Sequence, residues 1–290
     1  MSRVFGLIAL LVPLIAWAAP PGPAQPQADS QKVLRVCADP NNLPYSNRAG
    51  EGFENHLAQL VAHELGAEVE YTWWPQRRKF LHDTLQHGAC DVVMGLPTAT
   101  NGVLTTQPYY RSTYALVYRK HAGYDDLRSL DDPRLKTLKI GVHAIGDDYV
   151  DLPPGAVLAH RGIVHNVVMY KLYPDYRQPN PPARLIDAVA RGDVDVAIAW
   201  GPLAGYFAKH EPVALTVVPL TQTHAILPFE YSISLAVREN EPALRAKLNE
   251  ILQRKSSAIH ALLTRYGVPL LSLPHASEQA QSPLSDRRGT

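Results

Sequence analysis

The sequence predicts an α/β fold made of two units with a cleft between them. Apolar runs that suit strands alternate with amphipathic segments that suit helices, and this alternation restarts near residue 113. The first strand-like run ends at a loop rich in Pro and Asn. Such alternation is typical of parallel sheets with right-handed crossovers. Because open α/β sheets bind ligands beyond the carboxyl ends of their strands, the loops at those ends are predicted to line the cleft.

The first unit begins with a short β-branched run, Val33–Ala38, which the polar loop Asp39–Pro44 interrupts. Apolar residues then recur at helical spacing from Phe53 to Leu65, and Gly66 is placed as the C-cap. The pattern continues with a strand at Val69–Trp73, a helix at Phe80–Gln86 and a strand at Asp91–Met94.

The second unit follows a strand at Thr113–Tyr118. Its predicted elements are a strand at Leu138–Val142, a continuation through Ala156–His160, a long loop at Tyr170–Pro182, a helix at Ala183–Ala190, a strand at Val194–Trp200 and a helix at Gly201–Lys209. The chain then returns with a strand at Tyr231–Val237 and one long amphipathic helix, Pro242–Tyr266.

The amino terminus predicts export. Arg3 precedes an apolar run that ends in Ala16-Trp17-Ala18, which is typical of a signal peptide over residues 1–18 with an A-x-A cleavage site. The run is shorter than the ~20 apolar residues of a spanning helix, so no membrane span is expected in the mature protein. Residues 19–32 are rich in Pro and Gln and are expected to form a flexible leader, and residues 275–290 a disordered tail.

Charge and motifs exclude several function classes. The net charge of +1 gives no reason to expect nucleic-acid binding. The chain contains no G-x-S-x-G, P-loop or zinc-ligand spacing, so we expect no metal, no cofactor and no enzyme. Catalysis in the cleft would need a general acid and a base, and only Asp39, His143 and Asp147 are placed to serve.

Two cysteines, Cys37 and Cys90, suit either one disulfide or two buried thiols. If their strands lie parallel with the carboxyl ends level, the two sulfurs sit several residues apart along the strands. That separation exceeds disulfide reach, so the strand register argues against the bridge while export permits it.

Several segments resemble a known family. The segments VLRVCADPNNLPYSN, YTWWPQRR, PNPPARLIDAVA and WGPLAGYF are similar to those of the family-3 solute-binding proteins, which have the type II periplasmic binding fold. Within that family the chain is most similar to the quinoprotein-dehydrogenase-associated branch, the J proteins of methanol oxidation operons. The resemblance covers nearly the whole mature chain.

The resemblance implies two lobes that close around a cleft. Lobe 1 would comprise residues 33–118 and 232–274, and lobe 2 residues 119–231, with hinge crossings at Tyr118–His121 and Phe229–Ser232. It further implies a periplasmic accessory role beside a pyrroloquinoline-quinone (PQQ) alcohol dehydrogenase, with or without a small ligand. The alternative is a solute-binding protein that delivers an unidentified solute, other than a standard amino acid, to an ABC permease.

Two departures from the family pattern argue against amino-acid binding. Amino-acid binders of the family hold the α-carboxylate with an Arg shortly after a Thr; Thr98 is present here, but residues 99–104 contain no Arg. Those binders hold the α-ammonium with an Asp, and Trp200 stands at that position. In the turn that begins at Gly146, the carboxylates of Asp147 and Asp148 would accept the unpaired N–H groups of a helix start. The same carboxylates would repel an anionic ligand.

Thirteen residues are predicted to line the cleft. They are Asp39, Asn42, Tyr45, Trp73, Arg77, Arg78, Gly95, Leu96, Thr98, His143, Gly146, Asp147 and Trp200. In the resemblance, Arg78 stands where amino-acid binders carry an aromatic platform. Arg77 and Arg78 also suit a solvated surface or, with Trp73 and Trp74, a docking surface. Asp39 suits either a hydrogen bond to a ligand or the formation of a turn. His143 suits either a position that faces the cleft or a structural role. Tyr109, Tyr110 and Tyr114 are expected to pack or to form the cleft wall.

Overall fold

The computed structural model describes residues 32–77, 79–145, 150–172, 177–221 and 227–273. The predicted signal peptide, nearly all of the leader and the tail lie outside these residues, as do Arg78, Gly146 and Asp147. Within the described part of the chain, no helix combines the length and the apolar character needed to cross a bilayer.

The described residues form one large sheet, a small hairpin and six α-helices. The sheet strands are β1 (Lys32–Ala38), β4 (Ala67–Trp73), β5 (Val92–Pro97), β6 (Leu104–Thr105), β7 (Tyr110–Arg119), β8 (Ile140–Ile145), β9 (Val150–Asp151), β10 (Val167–Lys171), β11 (Val196–Trp200), β12 (Leu215–Pro219) and β13 (Glu230–Val237), and the hairpin strands are β2 (Asn41–Asn42) and β3 (Ser46–Asn47). The helices are α1 (Phe53–Leu65), α2 (Pro153–His160), α3 (Arg184–Arg191), α4 (Gly201–His210), α5 (Pro242–Arg254) and α6 (Ser256–Arg265).

Two long strands join the halves of the sheet. The order of the main strands is β10-β8-β11-β7-β13-β5-β1-β4. Pairing is parallel within β5-β1-β4, the first half, and within β10-β8-β11, the second half. The prediction of parallel pairing is therefore correct at both ends and wrong at the centre. There β7 pairs antiparallel with β11 and β13 antiparallel with β5, because these strands carry the chain from one half to the other and back.

The core of the first half forms where α1 packs on the sheet. Phe53, Leu57 and Val61 recur at helical spacing and are fully buried, together with Val36 of β1. Asn55 caps the start of α1, because its Oδ1 accepts the backbone N–H groups of Gly52 and Asn47. Any side chain at position 52 would overlap the backbone of Tyr45, so glycine lets α1 begin against the hairpin.

The second half contains two apolar layers, one on each face of its sheet. Leu185, Ile186 and Val189 of α3 pack against alanines of β11 on one face. On the other face, Leu158 of α2 is buried with Ile198 and with other aliphatic side chains of the sheet. The central strands of this half, β8 and β11, are buried along nearly their whole length, which explains why Val196–Trp200 is a continuous apolar run.

Several predicted elements differ in detail. The long carboxyl-terminal helix divides at Lys255 into α5 and α6, because the backbone of Lys255 leaves the helical conformation (φ −100°, ψ 10°). The predicted helix Phe80–Gln86 is one π-helical turn, His82–Gln86. Gly95 and Leu96 continue β5 instead of forming a loop, and Tyr170 and Lys171 end β10 instead of opening one.

The structure corrects the expectation for the cysteines. Cys37 and Cys90 form a disulfide with a Cα–Cα distance of 5.5 Å. Cys37 pairs with Val93, as the level register implied, but β5 begins only at Val92. The chain before β5 turns across the sheet, as the hydrogen bond from Thr72 Oγ1 to the Ala89 carbonyl shows (2.8 Å). Cys90 therefore leaves the line of the strand and reaches Cys37.

A close backbone contact joins α4 to the segment after α6. A Cβ atom at Gly205 would overlap the carbonyl oxygen of Gly267, so the two chains approach with no side chain between them. Next to this contact Tyr206 and Tyr266 stack, with ring centroids 5.6 Å apart and planes 16° from parallel. Ser112 Oγ donates a hydrogen bond to the Pro269 carbonyl at 2.6 Å. These contacts hold the second half against the carboxyl-terminal segment of the first half.

Candidate functional site

A cavity of about 340 Å³ lies between the two halves of the sheet. Its described lining residues are Asn42, Tyr45, Glu54, Gln76, Gly95, Pro97, Tyr110, Tyr114, His143, Ile145, Leu152, Pro153, Leu172, Trp200, Leu203, Tyr231 and Ile233. Its size falls in the range of small-molecule sites. Five of the predicted cleft residues meet here: Asn42, Tyr45, Gly95, His143 and Trp200.

Aromatic side chains from the crossing strands form one wall of the cavity. Trp200 lies at the end of β11, with ring centroids 5.4 Å from Tyr114 and 5.7 Å from Tyr231, both edge to face. Tyr114 lies on β7 and Tyr231 on β13, so strand pairing brings them beside Trp200. The Trp200 side chain also packs against the apolar clusters of both halves.

Glu54 is a cavity residue that the sequence did not reveal. It lies in the first turn of α1, and its carboxyl group contacts the backbone of Gly95, where any Cβ would overlap Glu54 Oε1. Among the described residues, the carboxyl of Glu54 has no hydrogen-bond or ion-pair partner. Desolvation, with a smaller contribution from the charge of Asp39, raises the pKa of Glu54 to about 8. The group is therefore mostly protonated at neutral pH.

Asp39 lies outside the cavity lining and holds together two loops that contribute residues to it. Its carboxylate is buried and accepts the backbone N–H groups of Asn41 (2.9 Å) and Gln76 (2.6 Å). These bonds hold the turn after β1 against the loop after β4. The two loops bring Asn42 beside Gln76, and Asn42 Nδ2 donates a hydrogen bond to Gln76 Oε1 at 3.0 Å. Of the two roles considered for Asp39, the structure shows the turn contact.

His143 lines the cavity from the second half. The imidazole is buried, and its Nε2 lies 3.3 Å from the Pro182 carbonyl, which can only accept a hydrogen bond. Desolvation lowers the pKa of His143 to about 4, against a smaller opposing effect of that bond. His143 is consequently neutral at physiological pH and presents no positive charge to a ligand.

The other described residues predicted for the cleft lie outside the cavity lining. The rings of Trp73 and Tyr71 stack with their centroids 4.5 Å apart, and the guanidinium carbon of Arg48 lies 5.6 Å from the centroid of the Trp73 ring. Leu96 is buried in the apolar cluster that contains the disulfide. Thr98 Oγ1 bonds to the Ser232 carbonyl and to Ser234 Oγ, which ties β5 to β13. The side chain of Arg77 is exposed.

The lining determines which ligands the cavity can accept. Among its described residues there is no Lys and no Arg, and the described part of the chain contains no cluster of ligands suited to a metal ion. The available groups are aromatic rings, the amides of Asn42 and Gln76, the neutral imidazole of His143 and the carboxyl of Glu54. An anionic ligand would find no opposite charge on these residues.

The protonation of Glu54 predicts a pH-dependent stability. A carboxyl whose pKa is higher in the folded state than in the unfolded state stabilises the fold at low pH, and that contribution is lost as pH rises toward the folded pKa, here about 8. With an allowance for partial solvation, we expect wild type to lose about 2 kcal/mol relative to Glu54→Gln between pH 5 and pH 7. Urea unfolding at several pH values measures this difference. Identical pH profiles for the two proteins would contradict it.

Comparisons with known proteins agree with this architecture. The family described as bacterial extracellular solute-binding proteins, family 3, matches residues 34–268. Protein MoxJ of Methylorubrum extorquens is 32% identical over 291 residues, which cover 91% of this chain and 94% of that protein. Protein MoxJ of Paracoccus denitrificans is 30% identical over 263 residues, which cover 86% of this chain and 92% of that protein.

A solved structure shows the same fold. The periplasmic binding protein XoxJ from Methylobacterium extorquens AM1 superposes with a TM-score of 0.69 at 37% identity, covering 82% of this chain and 99% of that chain. The predicted type II periplasmic binding fold and the predicted resemblance to the J-protein branch are thus confirmed. The chain therefore belongs to the bacterial extracellular solute-binding proteins, family 3.

Proposed function

We propose that the protein is a periplasmic accessory factor of a PQQ-dependent methanol or alcohol dehydrogenase, and that it binds a small ligand in the cavity between its halves. One observation carries the proposal: the chain matches MoxJ proteins along more than nine tenths of their length, at 30% and 32% identity. A match of that extent includes both halves and the cavity between them. In this proposal residues 1–18 direct export and the two halves correspond to the predicted lobes.

The site residues support a role other than amino-acid capture. The hydroxyl of Thr98 is hydrogen-bonded to β13, and residues 99–104 contain no Arg. Trp200 fills the position of the ammonium-binding Asp with an indole that packs into three apolar clusters. The two contacts that would hold a zwitterion are therefore absent at these positions, and the proposal does not need them.

An exposed tryptophan supports docking to a partner protein. Trp74 follows β4 and is 44% exposed, and exposed Trp near Arg is typical of binding hot spots. Affinity purification of the tagged mature protein from its native periplasm should recover the dehydrogenase. Trp74→Ala should reduce that recovery several-fold, whereas Val164→Ala, at a 55% exposed residue of the second half, should not. A strain that lacks the protein should oxidise alcohol more slowly.

Two joint results would reject the accessory role: no dehydrogenase in the purified material, and normal alcohol oxidation in the deletion strain. The cavity itself favours one alternative, a solute-binding protein that serves an ABC permease. In that case a tight ligand alone should raise the melting temperature of the purified protein by mass action, with no dehydrogenase present.

A further inference from the structure

The cavity combines one carboxyl group with several aromatic walls. Glu54 lines it and has no hydrogen-bond or ion-pair partner among the residues that the structure describes. Tyr110, Tyr114, Tyr231 and Trp200 line it as well. Carboxyl groups removed from bulk water are usually paired or hydrogen-bonded in proteins, so a partly buried one that faces a cavity without a partner suggests that a ligand supplies the partner.

The aromatic rings are arranged to surround a ligand group. The planes of Trp200 and Tyr114 differ by 65°, and those of Trp200 and Tyr231 by 75°. Rings with such different orientations present faces in several directions instead of forming one flat stack. Aromatic faces attract cations, and sets of aromatic rings are a common way to bind ammonium groups.

We propose that the cavity binds an organic cation of the alkylammonium class, with the Glu54 carboxylate as its anionic contact and Tyr110, Tyr114 and Trp200 as its aromatic walls. The inference rests on the ligand-binding part of the proposed function and is independent of the dehydrogenase. A ligand that also carries a carboxylate is disfavoured, because the described lining residues include no Lys or Arg to receive it. The cation site thus differs from the amino-acid site that the resemblance implies, in which an acidic residue would stand at position 200.

Binding of a cation is coupled to release of a proton. The groups that face Glu54 are Asp39 after β1, Tyr71 of β4, Tyr109 just before β7 and Tyr110 at its start. Burial raises the pKa values of these phenols, so they stay neutral, and two N–H groups stabilise the Asp39 carboxylate. Glu54 is then the group that loses a proton when a cation arrives. Affinity should accordingly rise from pH 6 to pH 8.

Three related probes test the proposal by titration calorimetry on the full mature protein. The probes are choline, its neutral isostere with a quaternary carbon in place of the nitrogen, and glycine betaine, which adds a carboxylate. We expect choline to bind about tenfold more tightly than the isostere. Glycine betaine should bind more weakly than choline. Titrations of choline in buffers with different ionisation enthalpies should show proton release near pH 7.

Two variants separate the role of Glu54 from a general effect of charge. Glu54→Gln should lose the proton release and bind choline and the isostere within about twofold of each other. Glu68→Gln removes an exposed carboxylate from β4, outside the cavity, and should behave as wild type. The circular dichroism spectrum of each variant confirms that it is folded.

Three results would overturn the inference: no choline binding at millimolar concentration, equal affinity for choline and the isostere in wild type, or tighter binding of glycine betaine than of choline. Each of these leaves the recovery of a dehydrogenase unaffected. Conversely, choline binding with proton release in a protein that recovers no dehydrogenase would support the cation site and count against the accessory role. The failures of the two proposals are therefore distinguishable.

Discussion

Replacing Cys37 and Cys90 together with alanine is expected to lower the free energy of unfolding by about 4 kcal/mol. The disulfide joins residues 53 apart in the sequence, and a crosslink of that span restricts the unfolded chain strongly. The variant should still fold, because Asp91 accepts hydrogen bonds from both Arg35 and Arg238, and Arg238 also donates to the Cys90 carbonyl. Urea unfolding measures the difference. The free energy of unfolding of the variant should fall more steeply with urea concentration, because its unfolded chain exposes more surface.

Reduction provides the control for this prediction. Treatment of wild type with a thiol reductant should shift the urea midpoint toward that of the double variant, whereas the same treatment of the variant should have no effect. A variant within about 1 kcal/mol of oxidised wild type would show that the disulfide does not stabilise the fold.

Replacing Trp200 with alanine is expected to cost about 3 kcal/mol of stability. The indole contacts Tyr114 and Tyr231 and packs against apolar clusters of both halves, so its removal creates a space at their junction. Because the ring also borders the cavity, water can fill part of that space, and the loss should stay near the lower end of the range for buried tryptophans. Trp200→Phe should recover about half of the loss.

The matched control is Trp74→Ala. Trp74 is 44% exposed, so its removal should change the free energy of unfolding by less than about 0.5 kcal/mol. If Trp200→Ala were as stable as Trp74→Ala, the indole at position 200 would not be a packing centre between the halves. Thermal unfolding at one pH compares the three proteins directly.

Local pattern was enough to predict most of the fold. The apolar spacing of α1, and Gly66 as its left-handed cap with φ of 62°, follow from short-range rules that do not depend on the rest of the chain. The motif resemblance carried the two-lobed architecture, which the comparisons confirm. The antiparallel centre of the sheet was missed because strand direction depends on which half each strand connects.

The site residues were harder to predict from the sequence than the fold was. Glu54 occupies the first turn of a helix, where an acidic residue is ordinarily an exposed partner of the helix dipole. Its enclosure depends on Gly95 and Tyr110, which lie more than forty residues away along the chain. The disulfide was misjudged for a related reason, since the path of Ala89 and Cys90 across the sheet is a tertiary feature.

The contact between Gly205 and Gly267 restricts how such proteins can be recombined. Backbone touches backbone there, so neither position can acquire a methyl group unless the opposite chain retreats. A second half transplanted from another binding protein would seat correctly only if it brought glycine to position 205. The two halves are therefore matched components, and evolutionary exchange between relatives has to preserve both glycines as a pair.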